Sequence, residues 1–198
     1  MSTPRRFSVT VFLSSGQVAR VHFDAAAAVG RGIGRRGWTL VYGGNNTGPM
    51  GALADGAREA GGRVVGISPK LFGDCMDANC DEFLLADDMR HRKAEMEQRG
   101  DAFVVLPGGL GTLEEFFEIL VGRFLKLHAK PIVLVNIDGY FDPLLEFVLR
   151  GIDAGFVREA AWSLVKVVET AEAALVSLEG VARERSSAEG VSVDTMNT

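Results

Sequence analysis

The chain has 198 residues, 47% hydrophobic and 24% charged, which suits a single globular domain able to bury roughly 70% of its unfolded surface without covalent staples. A formal net charge of −5 offers no broad basic field, so a nucleic acid polymer is not an expected partner, and no segment approaches the ~20 consecutive apolar residues needed to span a bilayer, so no membrane is expected either. Cys75 and Cys80 lack His or Cys companions at zinc-ligand spacing and read as free thiols of a reducing, cytoplasmic protein.

At the start, Arg5-Arg6 precedes an apolar run over 7–13 that is short for an export signal and contains Ser8 and Thr10, so it reads as a first strand. Further short apolar, β-branched runs follow at 39–42, 64–67, 83–86, 102–106, 132–135 and 165–168. Helical patterns lie at about 18–36, 50–60, 89–99, 112–127, 143–154 and 171–178, with Gly61-Gly62 as a stop after the second. Alternation of this kind predicts an α/β, Rossmann-like, doubly wound and mainly parallel sheet with helices on both faces. Residues 1–182 are expected to form one nucleotide-binding domain. From about Arg183 the chain turns small and polar, and 183–198 is expected to be a disordered tail.

The 24 glycines exceed the usual ~7% and gather where strands lead into helices. Three such loops, Ser14-Ser15-Gly16, Gly43 to Gly48 and Pro107 to Thr112, follow the first, second and fifth strands, where ligands collect in open α/β sheets. In Pro107-Gly108-Gly109-Leu110-Gly111-Thr112-Leu113-Glu114-Glu115 the glycines allow close approach, and the helix start offers free N–H groups to an anion. Dinucleotide and Walker patterns both fail. Gly109-Leu110-Gly111-Thr112-Leu113-Glu114 lacks the third glycine, no Lys-Ser or Lys-Thr follows, and Gly30-Arg31-Gly32-Ile33-Gly34 sits late in a helix, as close packing requires.

Two readings fit Glu115. Thr112-Leu113-Glu114-Glu115 spells a capping box, in which the Thr hydroxyl and Glu carboxylate satisfy helix-start N–H groups. Glu115 also lies one turn, about 5 Å, behind the phosphate cradle, where a carboxylate can activate water or offset a ribosyl cation. Upstream, Asp87-Asp88 are helix-capping acids, and helical spacing sets Met89, Arg92, Lys93 and Met96 on one face. That face is either a solvated basic surface over core methionines, or it brings the Arg92 fork to phosphate or ribose oxygens.

These motifs together resemble the LONELY GUY family of cytokinin riboside 5′-monophosphate phosphoribohydrolases, also labelled lysine decarboxylase-like. The P-G-G-x-G-T-x-x-E pattern is complete at Pro107 to Glu115, the preceding Arg-Lys pair is Arg92-Lys93, and Tyr42-Gly43-Gly44 with Gly48, Met50 and Gly51 resembles a second glycine loop. Asn136-Ile137-Asp138-Gly139-Tyr140-Phe141-Asp142-Pro143 is similar to a further segment, so the likeness runs over about 9–178. It implies a homodimer that hydrolyses the N-glycosidic bond of an adenosine-type nucleoside 5′-monophosphate to free base and ribose 5-phosphate, without a metal or other cofactor. Arg92 and Glu115 would be catalytic. Gly43, Gly44, Met89, Lys93, Gly108, Gly109, Gly111, Thr112 and Glu114 would bind substrate.

Leu13, Pro49, Val121, Gly122 and Phe124 depart from the family pattern, the first two near the crevice and the last three in the expected base pocket. A non-catalytic nucleotide sensor on the same sheet would need the cradle but not Arg92 together with Glu115. Pyridoxal phosphate decarboxylation would need a Schiff-base lysine, and no lysine sits in a motif of that kind.

Overall fold

In the computed structural model, which describes residues 5–70 and 76–194, the β-branched and aromatic runs become the strands. The elements are β1 (Ser8–Phe12), α1 (Arg20–Arg35), β2 (Thr39–Tyr42), α2 (Gly48–Glu59), β3 (Arg63–Pro69), β4 (Glu82–Ala86), α3 (Met89–Arg99) and β5 (Ala102–Val105). They continue with α4 (Leu110–Phe124), β6 (Ile132–Val135), a 3-10 turn (Ile137–Gly139), α5 (Asp142–Asp153), the short α6 (Glu159–Trp162), β7 (Val165–Val168) and α7 (Ala171–Asp194).

The seven strands form one sheet in the order β4-β3-β2-β1-β5-β6-β7, and every pairing is parallel, as in the expected Rossmann-like fold. Successive strand residues face opposite layers. Ala102 and Val104 pack with α1, α2 and α7 around Val29, Leu53 and Leu175, while Phe103 and Val105 pack with α3 and α4 around Met96, Phe116 and Leu120. The glycines of α1 work as the late-helix pattern suggested. A Cβ on Gly30 would stand 2.0 Å from the Leu53 carbonyl oxygen, and one on Gly34 would stand 2.6 Å from that of Ala57, so α1 and α2 meet backbone to backbone.

Among the described residues no α-helix separates β3 from β4, which pair directly, as the lack of a helical pattern between 67 and 83 expects. At the carboxyl end α7 is described as far as Asp194. Arg185 pairs with Asp101, a carboxylate whose side chain is 5% exposed and which also accepts from Ser8 N–H and Arg5. Residues 195–198 and Cys75 lie outside the described residues. Among the described residues no helix is long and apolar enough to cross a membrane.

Candidate active site

The sheet order reverses between β1 and β5, whose connections leave in opposite directions and open a crevice beyond their carboxyl ends. The three glycine-rich or polar loops meet there. Ser14 N–H donates to the Pro107 carbonyl at 3.3 Å, and Thr47 Oγ1 donates to the Ser15 carbonyl at 3.1 Å. Gly48, at φ +59°, lies so close that a Cβ would stand 2.4 Å from the Ser15 oxygen.

α4 begins at Leu110, two residues before the expected start, with Gly109 as its N-cap and no side chain capping it. The capping box is therefore not formed. Thr112 stands inside the first turn, buried with its hydroxyl against Gly108, and Glu115 points elsewhere. The first i→i−4 bond runs from Leu113 N–H to the Gly109 carbonyl at 3.0 Å, so the N–H groups ahead of it have no intrahelical partner. The glycines divide by cause. A Cβ on Gly108 would meet the Thr112 hydroxyl at 2.1 Å, whereas on Gly109 or Gly111 it would meet nothing within 4 Å. Protein packing requires the first glycine only, and the other two keep an open approach to the helix dipole.

Behind this cradle lies a buried ion pair. Arg92 comes from α3 and Glu115 from α4, each 6% exposed, with Arg92 Nη1 donating to Glu115 Oε1 at 2.6 Å. Arg92 Nε also donates to the Ile67 carbonyl at 3.1 Å. Gly43 makes room for the guanidinium, since a Cβ there would stand 2.4 Å from Arg92 Nη2. Burial pushes the Glu115 carboxyl above the ordinary glutamate range, while the neighbouring Arg92 charge pulls against it. A carboxylate and a fork of donors are thus held together at the crevice, with Asp88 capping α3 through His91 N–H at 2.8 Å, one of the two capping acids expected.

The other sequence candidates fall into place unevenly. Lys93 forms ion pairs with Glu114 and, at 2.6 Å, with Glu118, so Lys93 and Glu114 face one another as a clasp between α3 and α4 instead of standing free in the crevice. Burial alone would lower the Lys93 ammonium, but the two carboxylates outweigh it and raise its pKa. Gly44, at φ +70°, leaves space for the Phe83 ring, which a Cβ there would meet at 2.9 Å, and Met89 is 39% exposed at the α3 start. Leu13 and Pro49 are buried, Gly122 faces the His128 ring, and Phe124 lies under the Arg158 guanidinium, leaving Val121, 52% exposed, on the outer face of α4.

Three groups were given no role by the sequence reading. Glu118 completes the Lys93 clasp, which its i+4 spacing from Glu114 would have suggested. Asp77 is buried between the Tyr42 hydroxyl and Arg58 and, through its own N–H, holds the Gly44 carbonyl at 2.8 Å. Burial alone would raise this carboxyl, but Arg58 and Tyr42 hold it below the usual range. Tyr140 donates its hydroxyl to the Gly108 carbonyl at 2.8 Å. A separate cavity of about 870 Å³ opens at the amino ends of the strands near Arg6, Arg63 and Arg99, but Arg63 and Arg99 are paired with Glu82, and α/β ligands gather at the opposite edge.

Comparison with known proteins identifies the family. The family described as "Possible lysine decarboxylase" matches residues 50–178. A cytokinin riboside 5′-monophosphate phosphoribohydrolase of Mycobacterium tuberculosis is 40% identical over 171 residues, 85% of this chain and 91% of its own. One of Rhodococcoides fascians is 41% identical over 180 residues, 89% and 90% of the two chains. Among solved structures, the molybdenum cofactor binding protein of Rippkaea orientalis superposes with a TM-score of 0.71 at 23% identity, covering 90% of this chain and 99% of that one, a likeness of fold alone. Length, identity and the intact glycine motif agree: the chain belongs to the cytokinin riboside 5′-monophosphate phosphoribohydrolase family.

Proposed function

We propose that the protein hydrolyses the N-glycosidic bond of an adenosine-type, N6-substituted nucleoside 5′-monophosphate to free base and ribose 5-phosphate. The observation that carries this reading is the buried Arg92–Glu115 pair directly behind an uncapped α4 start, in a chain of this family. The N–H groups at the α4 start take the 5′-phosphate, with Gly109 and Gly111 leaving room for it. Arg92 steadies the ribosyl phosphate as the C1′–N bond breaks. Glu115 offsets the cationic charge at C1′ and accepts a proton from the attacking water, whose oxygen bonds to C1′ as the C1′–N electron pair leaves with the base, and that proton then passes to the base nitrogen. A non-catalytic nucleotide carrier would not require an ion pair buried at such cost.

The substrate class follows from the cradle. Incubation with isopentenyladenosine monophosphate, AMP and isopentenyladenosine, with free base measured by chromatography, is expected to show release from a monophosphate and little from the nucleoside. Equal release from the nucleoside would sink the phosphate cradle. A nucleotide substrate and the unpaired Cys80 thiol support a cytoplasmic setting. The reading also includes a homodimer, supported by an apolar stripe on the outer face of α4: Leu110, Phe117, Val121 and Leu125 are 87%, 37%, 52% and 60% exposed.

A further inference from the structure

Tyr140 sits on a loop whose backbone is costly. Asp138 and Gly139 adopt left-handed φ values of 51° and 67° in succession, a strained choice for the aspartate. Around them the loop is tied at several points. Phe141 N–H donates to Asn136 Oδ1 at 2.7 Å, Asn136 Nδ2 donates to Asp142 Oδ1 at 2.7 Å, and the Phe141 ring is buried. The outcome is that Tyr140, itself 46% exposed, extends its ring past the edge of His22, 5.7 Å between centroids, and its hydroxyl reaches the Gly108 carbonyl at 2.8 Å.

That carbonyl belongs to the peptide joining Gly108 to Gly109. A trans peptide is planar, and its C=O and N–H point to opposite sides. Fixing the Gly108 oxygen therefore fixes the Gly109 N–H, which makes no hydrogen bond among the described residues and heads the free donors of α4. Both flanking residues are glycines, so without a clamp this peptide would rotate through conformations closed to other residues.

We propose that Tyr140 is a positioning residue for the phosphate cradle: its hydroxyl holds the Gly108–Gly109 peptide in the orientation that aims the Gly109 N–H at the 5′-phosphate. This rests on the reading of the α4 start as the phosphate site, and not on turnover. The test is calorimetric binding of AMP, ribose 5-phosphate and adenosine to the wild type, Tyr140→Phe and Tyr140→Leu. Loss of one neutral hydrogen bond predicts a fall of about three- to ten-fold in affinity for AMP and ribose 5-phosphate in both variants, with adenosine unaffected. In turnover KM rises by the same factor, and kcat falls by less than KM rises.

An unchanged affinity of Tyr140→Phe for the two phosphates overturns the proposal. So does a loss shared equally by adenosine, or one seen in Tyr140→Leu alone, either of which assigns the residue to ring packing. A wild type that binds ribose 5-phosphate tightly but releases no base overturns the hydrolase reading and leaves the Tyr140 result to stand. A wild type that binds neither phosphate overturns the cradle and the clamp together.

Discussion

A carboxylate with 6% of its surface exposed would be neutral near pH 7 if it stood alone, and Glu115 is kept usable by a guanidinium 2.6 Å away. The balance still lies on the side of burial, which sets its pKa above the ordinary glutamate range. The sign of the pH effect follows. Glu115 must lose its proton to act, a raised pKa moves that loss to higher pH, and the rate therefore falls as pH falls through the raised value. The acid limb of kcat/KM, which reports the free enzyme, is expected above the ordinary glutamate pKa of 4.5. A limb at or below that value would remove Glu115 as the titrating group. Glu115→Gln keeps the shape and removes the charge, and base release should drop by at least about 10²-fold. Because it leaves Arg92 buried without its counter-charge, it should also cost stability, up to about 3–5 kcal/mol, so the rate loss is read at a temperature where circular dichroism shows the variant folded.

At the scale of elements, the glycines separate folding from function. Gly30 and Gly111 both lie in helices, but a Cβ on the first would stand 2.0 Å from a backbone oxygen of α2 and on the second would meet open space. Gly30→Ala should therefore destabilise by about 1–3 kcal/mol through overpacking, read as a lower urea midpoint with KM little altered. Gly111→Ala should gain up to about 1 kcal/mol in helix propensity and yet raise KM for the monophosphate, since the new methyl occupies the approach to the α4 N–H groups. A Gly111→Ala protein with wild-type KM would mean that the phosphate lies elsewhere. The sequence pattern distinguishes these positions only in part. Late placement in α1 marks Gly30 as packing, but nothing in P-G-G-x-G-T tells that Gly108 is closed by Thr112 while Gly109 and Gly111 are open. The capping box failed for a related reason. Local spacing satisfies two N–H groups, but a partner 23 residues away in sequence, Arg92, competes for Glu115 and wins.

Over the whole molecule, parallel strands buried on both faces write their positions plainly as β-branched runs, and four-residue strands such as Thr39–Tyr42 and Ile132–Val135 match their sequence patterns residue for residue. What stays hidden is long-range and polar: the Lys93 clasp, the Tyr140 hydroxyl on Gly108 and the anchor of α7. Two predictions belong to this scale. If the α4 stripe is a dimer face, Val121→Glu sets a charge in an apolar contact, and light scattering should show the mass of the species fall by half. A Val121→Glu protein of unchanged mass puts the interface elsewhere.

The second concerns the carboxyl end. Asp101 lies at the amino edge of the sheet, opposite the crevice, where Arg185, Arg5 and Ser8 N–H all meet its carboxylate. Ending the chain at residue 182 removes Arg185 and leaves a 5% exposed carboxylate with one partly exposed arginine and one N–H. A weakened buried charge of this kind should cost about 1–3 kcal/mol, or roughly 2–4 °C of Tm for each kcal/mol in a chain of this size. The anchor and the cradle sit at opposite ends of the strands, so KM for the monophosphate should not move. If the truncated protein kept its full Tm, the stretch of α7 beyond Ala182 would not hold the sheet.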